Sequence, residues 1–288
     1  MLFQAIVLLI CVLAAADFMR LANRQKRSRL QKKLYDTPLR GALATLMRAT
    51  TPWVKLWFFF QAISLAGLFG SGNSDRALGP VILYLTNAFF LILLAPVGVA
   101  MGASAGTPNF LLHGFRRITG KLAVTRVVVV VAALGVNVLF TYLLFSRTSW
   151  GASESLKQAL RPEAYSSPAN LVFAGYLLIS AAVMEEMLFR HYLLNRLLVT
   201  IGRIFPGRKD RQTIRKDWVH KIVAVLITTI IFALGHRSVV SPDWLKYTQT
   251  GVLGLTLGVC QLTSGTASCV ALHLLFNFSM VFMARLLV

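Results

Sequence analysis

Residues 171–188 read LVFAGYLLISAAVMEEML, an apolar run that closes on two adjacent glutamates, Glu185 and Glu186, with Arg190 just beyond. The run has about the ~20 residues that a helix needs to cross a bilayer. An ionisable side chain at membrane depth costs between ~2.5 and ~17 kcal/mol, depending on the estimate. The chain has ten acidic residues, and the other eight fall in apparent loops or at segment ends. Two carboxylates side by side in the lipid zone therefore point to chemistry.

The rest of the chain supports a membrane setting. Of its 288 residues, 56% are hydrophobic, and the mean hydropathy is +0.67. A soluble domain cannot hide that much apolar surface, whereas a polytopic membrane protein requires it. Lys and Arg outnumber Asp and Glu by 30 to 10, a formal charge of +20. In a soluble protein this excess would suggest nucleic acid. Here the basic residues gather in two loops between apolar spans, so the positive-inside rule explains them better. Anionic lipid is the expected partner, not nucleic acid. Cys11, Cys260 and Cys269 lie in apolar segments without CxxC spacing, and read as small buried hydrophobes. Leu2–Ala16 has no basic residue before it and a dense basic run after it, the charge order of an anchor rather than of a cleaved leader.

Eight segments are long and apolar enough for membrane helices, at roughly 2–19, 53–70, 80–101, 122–146, 170–190, 219–236, 247–263 and 266–285. The fold class expected is all-α, a polytopic membrane helical bundle of about eight transmembrane helices. Loops 20–52 and 190–221 carry nine Lys or Arg each, and the intervening connections far fewer. Alternation then places both basic loops in the cytoplasm and both termini outside. Segment 20–52 is expected on the membrane surface as a partly helical arm. Gly251, Gly254 and Gly258 share one face of the seventh span, where small residues let a neighbouring helix approach.

Three polar constellations interrupt the apolar helices. In the first, Glu186 and Arg190 are four apart, with the glutamate toward the N-terminus, the favourable order for an ion pair. Glu185 is rotated about 100° away and has no such partner. A carboxylate withdrawn from water in this way makes a stronger base. The plainer reading is that both glutamates neutralise nearby cations. The second constellation is Phe232 to His236, at the end of the sixth span; a lone His there is more often a capped surface residue than a catalyst. In the third, His273 and Asn277 lie on one helical face and both can donate hydrogen bonds to a developing oxyanion. They would serve equally as interhelical glue. His113, His191 and His220 sit beside basic loop residues and read as ordinary interface histidines. Together the three supply a carboxylate, two imidazoles and an amide, the parts for hydrolysing an amide with an activated water. Zinc is a conceivable tenant of two Glu and two His, but HExxH is absent, so no metal or other cofactor is expected.

These motifs, in this order, resemble those of the CPBP intramembrane glutamate proteases, which include type II CAAX prenyl endopeptidases and bacteriocin-processing and self-immunity proteins. EExxxR matches at Glu185, Glu186 and Arg190, FxxxH at Phe232 and His236, and HxxxN at His273 and Asn277. The run Gly254–Gly258, then Thr263–Ser268 leading to His273, is also similar, so the likeness covers roughly 170–280. It implies that Glu185 is the general base, assisted by His236, and that His273 and Asn277 form the oxyanion hole. Glu186 and Arg190 would orient the site, and Phe232 would pack. The organisation it suggests is one integrated membrane domain: an anchor and basic cytoplasmic arm over 1–52, family-variable transmembrane helices over 53–169, and a catalytic core over 170–288.

The function expected is therefore an intramembrane endopeptidase acting on a membrane-associated peptide or a prenylated C-terminal tail, in a bacterial cytoplasmic membrane. The alternative that the resemblance permits is a non-catalytic immunity or binding protein. A proton-coupled transporter is disfavoured because no inverted-repeat halves are visible. One geometric demand follows from counting at ~1.5 Å per residue: Glu185 falls ~20 Å inside its span, His236 near the outer face and His273 ~10 Å from the cytoplasmic one. Their convergence requires displaced or tilted helices, a sixth helix that stops early, or span boundaries shifted by a turn or two.

Overall fold

A lipid-exposed backbone can satisfy its own hydrogen bonds only as helix or closed barrel, and the long apolar runs of this chain take the first course. The structure, a computed structural model, describes residues 2–31, 78–107, 120–154, 168–205 and 211–287, with positions 59, 62 and 157. In chain order the helices are α1 (Leu2–Gln31), α2 (Leu78–Ala105), α3 (Gly120–Ser146) and α4 (Pro168–Glu186). A π-helical segment, Met187–Leu194, leads without a break into α5 (Asn195–Ile204). Then follow α6 (Arg211–Leu234), α7 (Asp243–Ser264) and α8 (Thr266–Leu287). The all-α expectation holds. The span expected at 53–70 lies outside the described residues apart from two positions, as do His113 and residues 32–52 of the basic arm.

The helices are two-faced in a way that fits a bilayer. On α1, Ile10, Ala14 and Asp17 are buried at helical spacing, while Leu8, Leu9, Val12 and Leu13 are exposed. On α3, Val124, Val127, Val128 and Val131 point outward, and Asn137 and Thr141 point in. Exposed apolar stripes of this extent belong against lipid tails. Helical stretches Phe3–Leu21, Val124–Ser146 and Thr266–Met283 are long and apolar enough to cross a membrane, with shorter apolar stretches at Leu93–Gly102 and Trp218–Leu234. The inward face of α3 sets Asn137 and Thr141 between Val130 and Phe145, and Asn137 Nδ2 donates across to Thr256 Oγ1 of α7 at 3.2 Å.

Two expectations about boundaries change. The basic residues after position 19 continue α1 unbroken to Gln31 rather than starting a separate surface arm there. The fifth span does not end near residue 190 but runs helical from Pro168 to Ile204, so Glu185 falls near the middle of that run. The basic composition beyond Arg190 hid this, because a long helix can carry its polar end out of the lipid. Asp17, taken as a segment-end acid, is 4% exposed. It accepts hydrogen bonds from Arg196 Nε at 2.6 Å and Tyr192 Oη at 3.0 Å, fastening α1 to the middle of the bundle.

The core gathers α1, α2, the π segment, α6, α7 and α8 around Leu94, Tyr192, Phe232, Leu257 and Leu272. The cysteines are free; Cys260 and Cys269 are buried in this core and Cys11 is half-buried. α7 and α8 meet at Gly265, whose φ of +85° lets the chain reverse within one residue. A two-residue antiparallel ladder pairs Gly151–Ala152 with Val240–Ser241, clamping the connection after α3 onto the connection after α6. Gly254 and Gly258 do admit α6: a Cβ at Gly258 would lie 2.6 Å from Val225 Cγ1, and one at Gly254 would lie 3.0 Å from Thr229 Cγ2. Gly251 has nothing within 4 Å and plays no part in that approach.

Val225 is β-branched and cannot swing aside easily. Gly258→Ala should therefore lower stability by about 1–3 kcal/mol, the usual cost of overpacking. Gly251→Ala should leave the unfolding midpoint unchanged or raise it. Thermal unfolding of both variants in detergent checks the contrast.

Candidate active site

All three polar constellations come together. The first sits where α4 gives way to the π segment, a local widening of the helix that is often found at functional sites. Glu186 and Arg190 are both 0% exposed. Arg190 Nη1 lies 3.3 Å from Glu186 Oε1, and Arg190 Nη2 donates to the Gly254 carbonyl at 3.4 Å. The guanidinium carbon stands 4.2 Å from the centroid of the Phe232 ring. A cation against an aromatic face gains electrostatically, and more so away from water. The expected Glu186–Arg190 pair is thus present, with Phe232 laid on it as a lid.

Phe232 also organises the imidazoles. Its centroid is 4.7 Å from that of His236 and 5.8 Å, edge-on, from that of His273. His273 Nδ1 is 2.8 Å from Glu186 Oε1. A carboxylate can only accept, so Nδ1 carries the proton and Nε2 faces the other way. His236 Nδ1 is 2.9 Å from the Phe232 carbonyl oxygen, which fixes a proton on that nitrogen too. In both rings the free nitrogen turns toward Glu185. Glu185 Oε2 is 3.8 Å from His236 Nε2 and 3.8 Å from His273 Nε2. These separations exceed a direct hydrogen bond and suit one small oxygen-bearing group held between them. The oxygen itself makes no hydrogen bond among the described residues.

The two glutamates have opposite surroundings. Glu186 is sealed between a guanidinium and an imidazole, whereas Glu185 is 31% exposed and opens onto a cavity of about 310 Å3. His236, His273 and Asn277 line the same cavity. Its further wall is Thr141, Phe145, Trp150, Lys246, Gln249 and Met280. The ladder between the α3 and α6 connections braces it, and Phe145 meets Trp150 edge-on at 5.3 Å. A second cavity, of about 370 Å3, lies on the other flank of Glu185 and His236. It is lined by apolar groups that include Phe3, Val7, Leu188 and Phe189.

The boundary shift in the fifth span answers the demand that these groups reach a common depth. Glu185 lies mid-run rather than near one end, and α6 stops at Leu234, two residues before His236. Among the described residues, no set of three or more His, Cys, Asp or Glu is arranged to hold a metal ion.

Two residues were misjudged or passed over in the sequence. His191 is no interface histidine: it is fully buried, donates through Nε2 to the Ala95 carbonyl at 3.0 Å, and shares a 3.0 Å hydrogen bond with Thr266 through Nδ1. It ties the π segment to α2 and α8. Lys246 counted only as loop charge, although it lines the cavity from the first turn of α7. Its place just ahead of the seventh apolar span gave no hint of which way it points. His220 lies against Phe205, with ring centroids 5.8 Å apart.

In comparison with protein families, residues 167–279 fit the family described as type II CAAX prenyl endopeptidase, Rce1-like. All three polar motifs fall inside it. The family resemblance holds over this segment. No curated protein and no solved structure matches the chain. The Rce1-like family is one of proteases, which supports a peptide hydrolase acting on membrane-associated substrates, and its match agrees with the apolar helices in making this an integral membrane protein.

Arg190 and Glu186 should dominate stability here. Removing one member of a buried ion pair strands the other, at about 3–5 kcal/mol. Arg190→Ala should therefore unfold far more readily than the wild type, and Glu185→Gln should unfold almost as the wild type does. Comparative unfolding in detergent, read by tryptophan fluorescence, checks this.

Proposed function

We propose that the protein is an intramembrane endopeptidase that hydrolyses a peptide bond with a glutamate-activated water and no metal. The observation that carries this reading is the focus of two imidazole nitrogens on one unbonded Glu185 oxygen, each at 3.8 Å. With its Nδ1 proton committed to the Phe232 carbonyl, neutral His236 offers a lone pair at Nε2. Glu185 and His236 are then two acceptors aimed at the two hydrogens of one water. His273 differs, because its Nδ1 proton is given to Glu186. In this mechanism His273 acts as imidazolium with the Glu186 carboxylate as its counter-charge, so that Nε2–H donates to the oxyanion. Asn277, one helical turn along on the same cavity wall, adds a second donor.

The water oxygen attacks the scissile carbonyl carbon as one of its protons passes to Glu185. The carbonyl oxygen takes up negative charge between His273 Nε2–H and Asn277. Collapse of the tetrahedral intermediate breaks the C–N bond, and Glu185 returns its proton to the departing amine nitrogen. Glu186 and Arg190 touch no reacting atom; they hold His273. Lys246 on the cavity wall adds positive charge that disfavours a divalent ion beside Glu185, in keeping with metal-free chemistry. The substrate class is a membrane-associated peptide, a prenylated C-terminal tail being the one that the matched family's name suggests. The setting proposed is a bacterial cytoplasmic membrane, whose anionic headgroups suit the basic loops.

The test is cleavage of a quenched-fluorescent prenylated peptide by purified protein in detergent. Glu185→Gln and His236→Ala should each lower kcat by about 10²–10⁴, the range for loss of a general base. Asn277→Ala should cost about 10²–10³, as for a lost oxyanion donor. All three should unfold near the wild-type midpoint. Full activity in Glu185→Gln would refute the mechanism and favour a binding or immunity role instead.

A further inference from the structure

Lys246 is a cation in the wrong place for a structural role. Its Nζ sits 2.8 Å from Gln249 Oε1, a neutral acceptor, and it makes no ion pair among the described residues. Gln249 is itself 4% exposed and held by Met280, with Nε2 3.1 Å from the sulfur. The nearby cation Arg237 is already answered by Asp243 at 3.6 Å. Lys246 therefore brings to the cavity that contains Glu185, His236, His273 and Asn277 a positive charge that feels the Glu185 carboxylate at longer range but has no anion in contact with it among the described residues. A sheltered charge of that kind is costly unless something anionic meets it.

The second cavity gives the site a direction. Glu185 and His236 stand between two chambers, one apolar and bounded by Phe3 and Val7 of α1, the other carrying Lys246. A peptide whose scissile bond lies over Glu185 must enter one chamber with its N-terminal side and the other with its C-terminal side. We propose that Lys246, held by Gln249, captures the free α-carboxylate of the substrate's C-terminus, so that cleavage falls a short distance from the chain end. The apolar chamber then takes the residues before the scissile bond. This rests on the peptide-hydrolase reading above and adds to it the group that reads the end of the chain.

The experiment uses one prenylated, fluorescent peptide in two forms, ending in a free carboxylate or in a primary amide. Binding is measured by anisotropy on Glu185→Gln protein, which cannot turn over, and cleavage on protein with Glu185 intact. The acid should bind about tenfold or more tightly than the amide, as a charge-assisted hydrogen bond would give. Lys246→Met in either background should abolish that preference, chiefly through KM, and Lys246→Arg should keep part of it. Equal binding of acid and amide, or of neither, overturns the assignment. So does a Lys246→Met protein that retains the preference but loses kcat on both peptides alike, because Lys246 would then be tuning Glu185. Preferential binding of the acid, lost in Lys246→Met, without any cleavage by wild type would leave carboxylate capture standing and remove the hydrolase reading. Unfolding midpoints of the Lys246 variants, compared with the wild type, separate these results from misfolding.

Discussion

A fully buried cation and a fully buried anion, Arg190 and Glu186, set the terms for everything around them. Two such charges leave water at a cost that their attraction offsets only with further partners. Here Glu186 Oε1 and both terminal nitrogens of Arg190 are engaged, while Glu186 Oε2 and Arg190 Nε find no hydrogen bond among the described residues. The groups that meet them come from different helices: the Gly254 carbonyl from α7, the Phe232 ring from α6 and His273 from α8. The pair thus specifies which helices must be neighbours and at what rotation. Gly254 lacks a side chain where Arg190 reaches its carbonyl, and a Cβ there would lie 3.4 Å from Nη2. Packing and electrostatics make the same demand at that point.

Adjacent glutamates acquire different chemistry because a helix turns them ~100° apart. One faces the bundle axis and becomes the fixed charge that orients His273. The other faces a cavity and keeps a free oxygen. Neither role would survive an exchange, since among the described residues no Lys or Arg lies within ion-pairing distance of Glu185. The protonation of those rings is also assigned by acceptors that cannot donate, a backbone carbonyl for His236 and a carboxylate for His273. In both rings Nδ1 is thereby engaged, and Nε2 is the nitrogen left to face Glu185.

Much of this was legible in the sequence. Glu186 and Arg190 at i and i+4, Phe232 before His236, and His273 with Asn277 are spacings that a reader can place on helical faces without coordinates. What was not legible depends on distance in three dimensions or on local departures from the α-helix. The π segment gives no compositional sign, and the helix continuing past Arg190 is masked by basic residues that look like a loop. His191 and Asp17 were misread for the same reason. A polar side chain near a basic stretch is usually solvated, and only the packing of α2 and α8 around His191, and of the π segment and α5 against Asp17, makes them internal. Lys246 shows the limit most plainly, because nothing about a lysine ahead of an apolar span says that it turns inward.

The end of α6 does more than bring His236 within reach. Inside a helix, the carbonyl of residue 232 would bond the backbone N–H of residue 236, and a histidine ring would find no acceptor there. Here the helix tightens and stops: His236 N bonds Ala233 O at 3.0 Å, and Phe232 O accepts from Gly235 N at 3.2 Å and from the His236 ring at 2.9 Å. Carbonyls at a helix C-terminus are short of partners, and this one uses the imidazole to complete its bonding. An uninterrupted sixth span would have carried His236 onward along the helix and left its Nδ1 without this acceptor. Stopping the helix places the ring beside Glu185 and settles which nitrogen faces it, so depth and tautomer are fixed by a single break in the backbone.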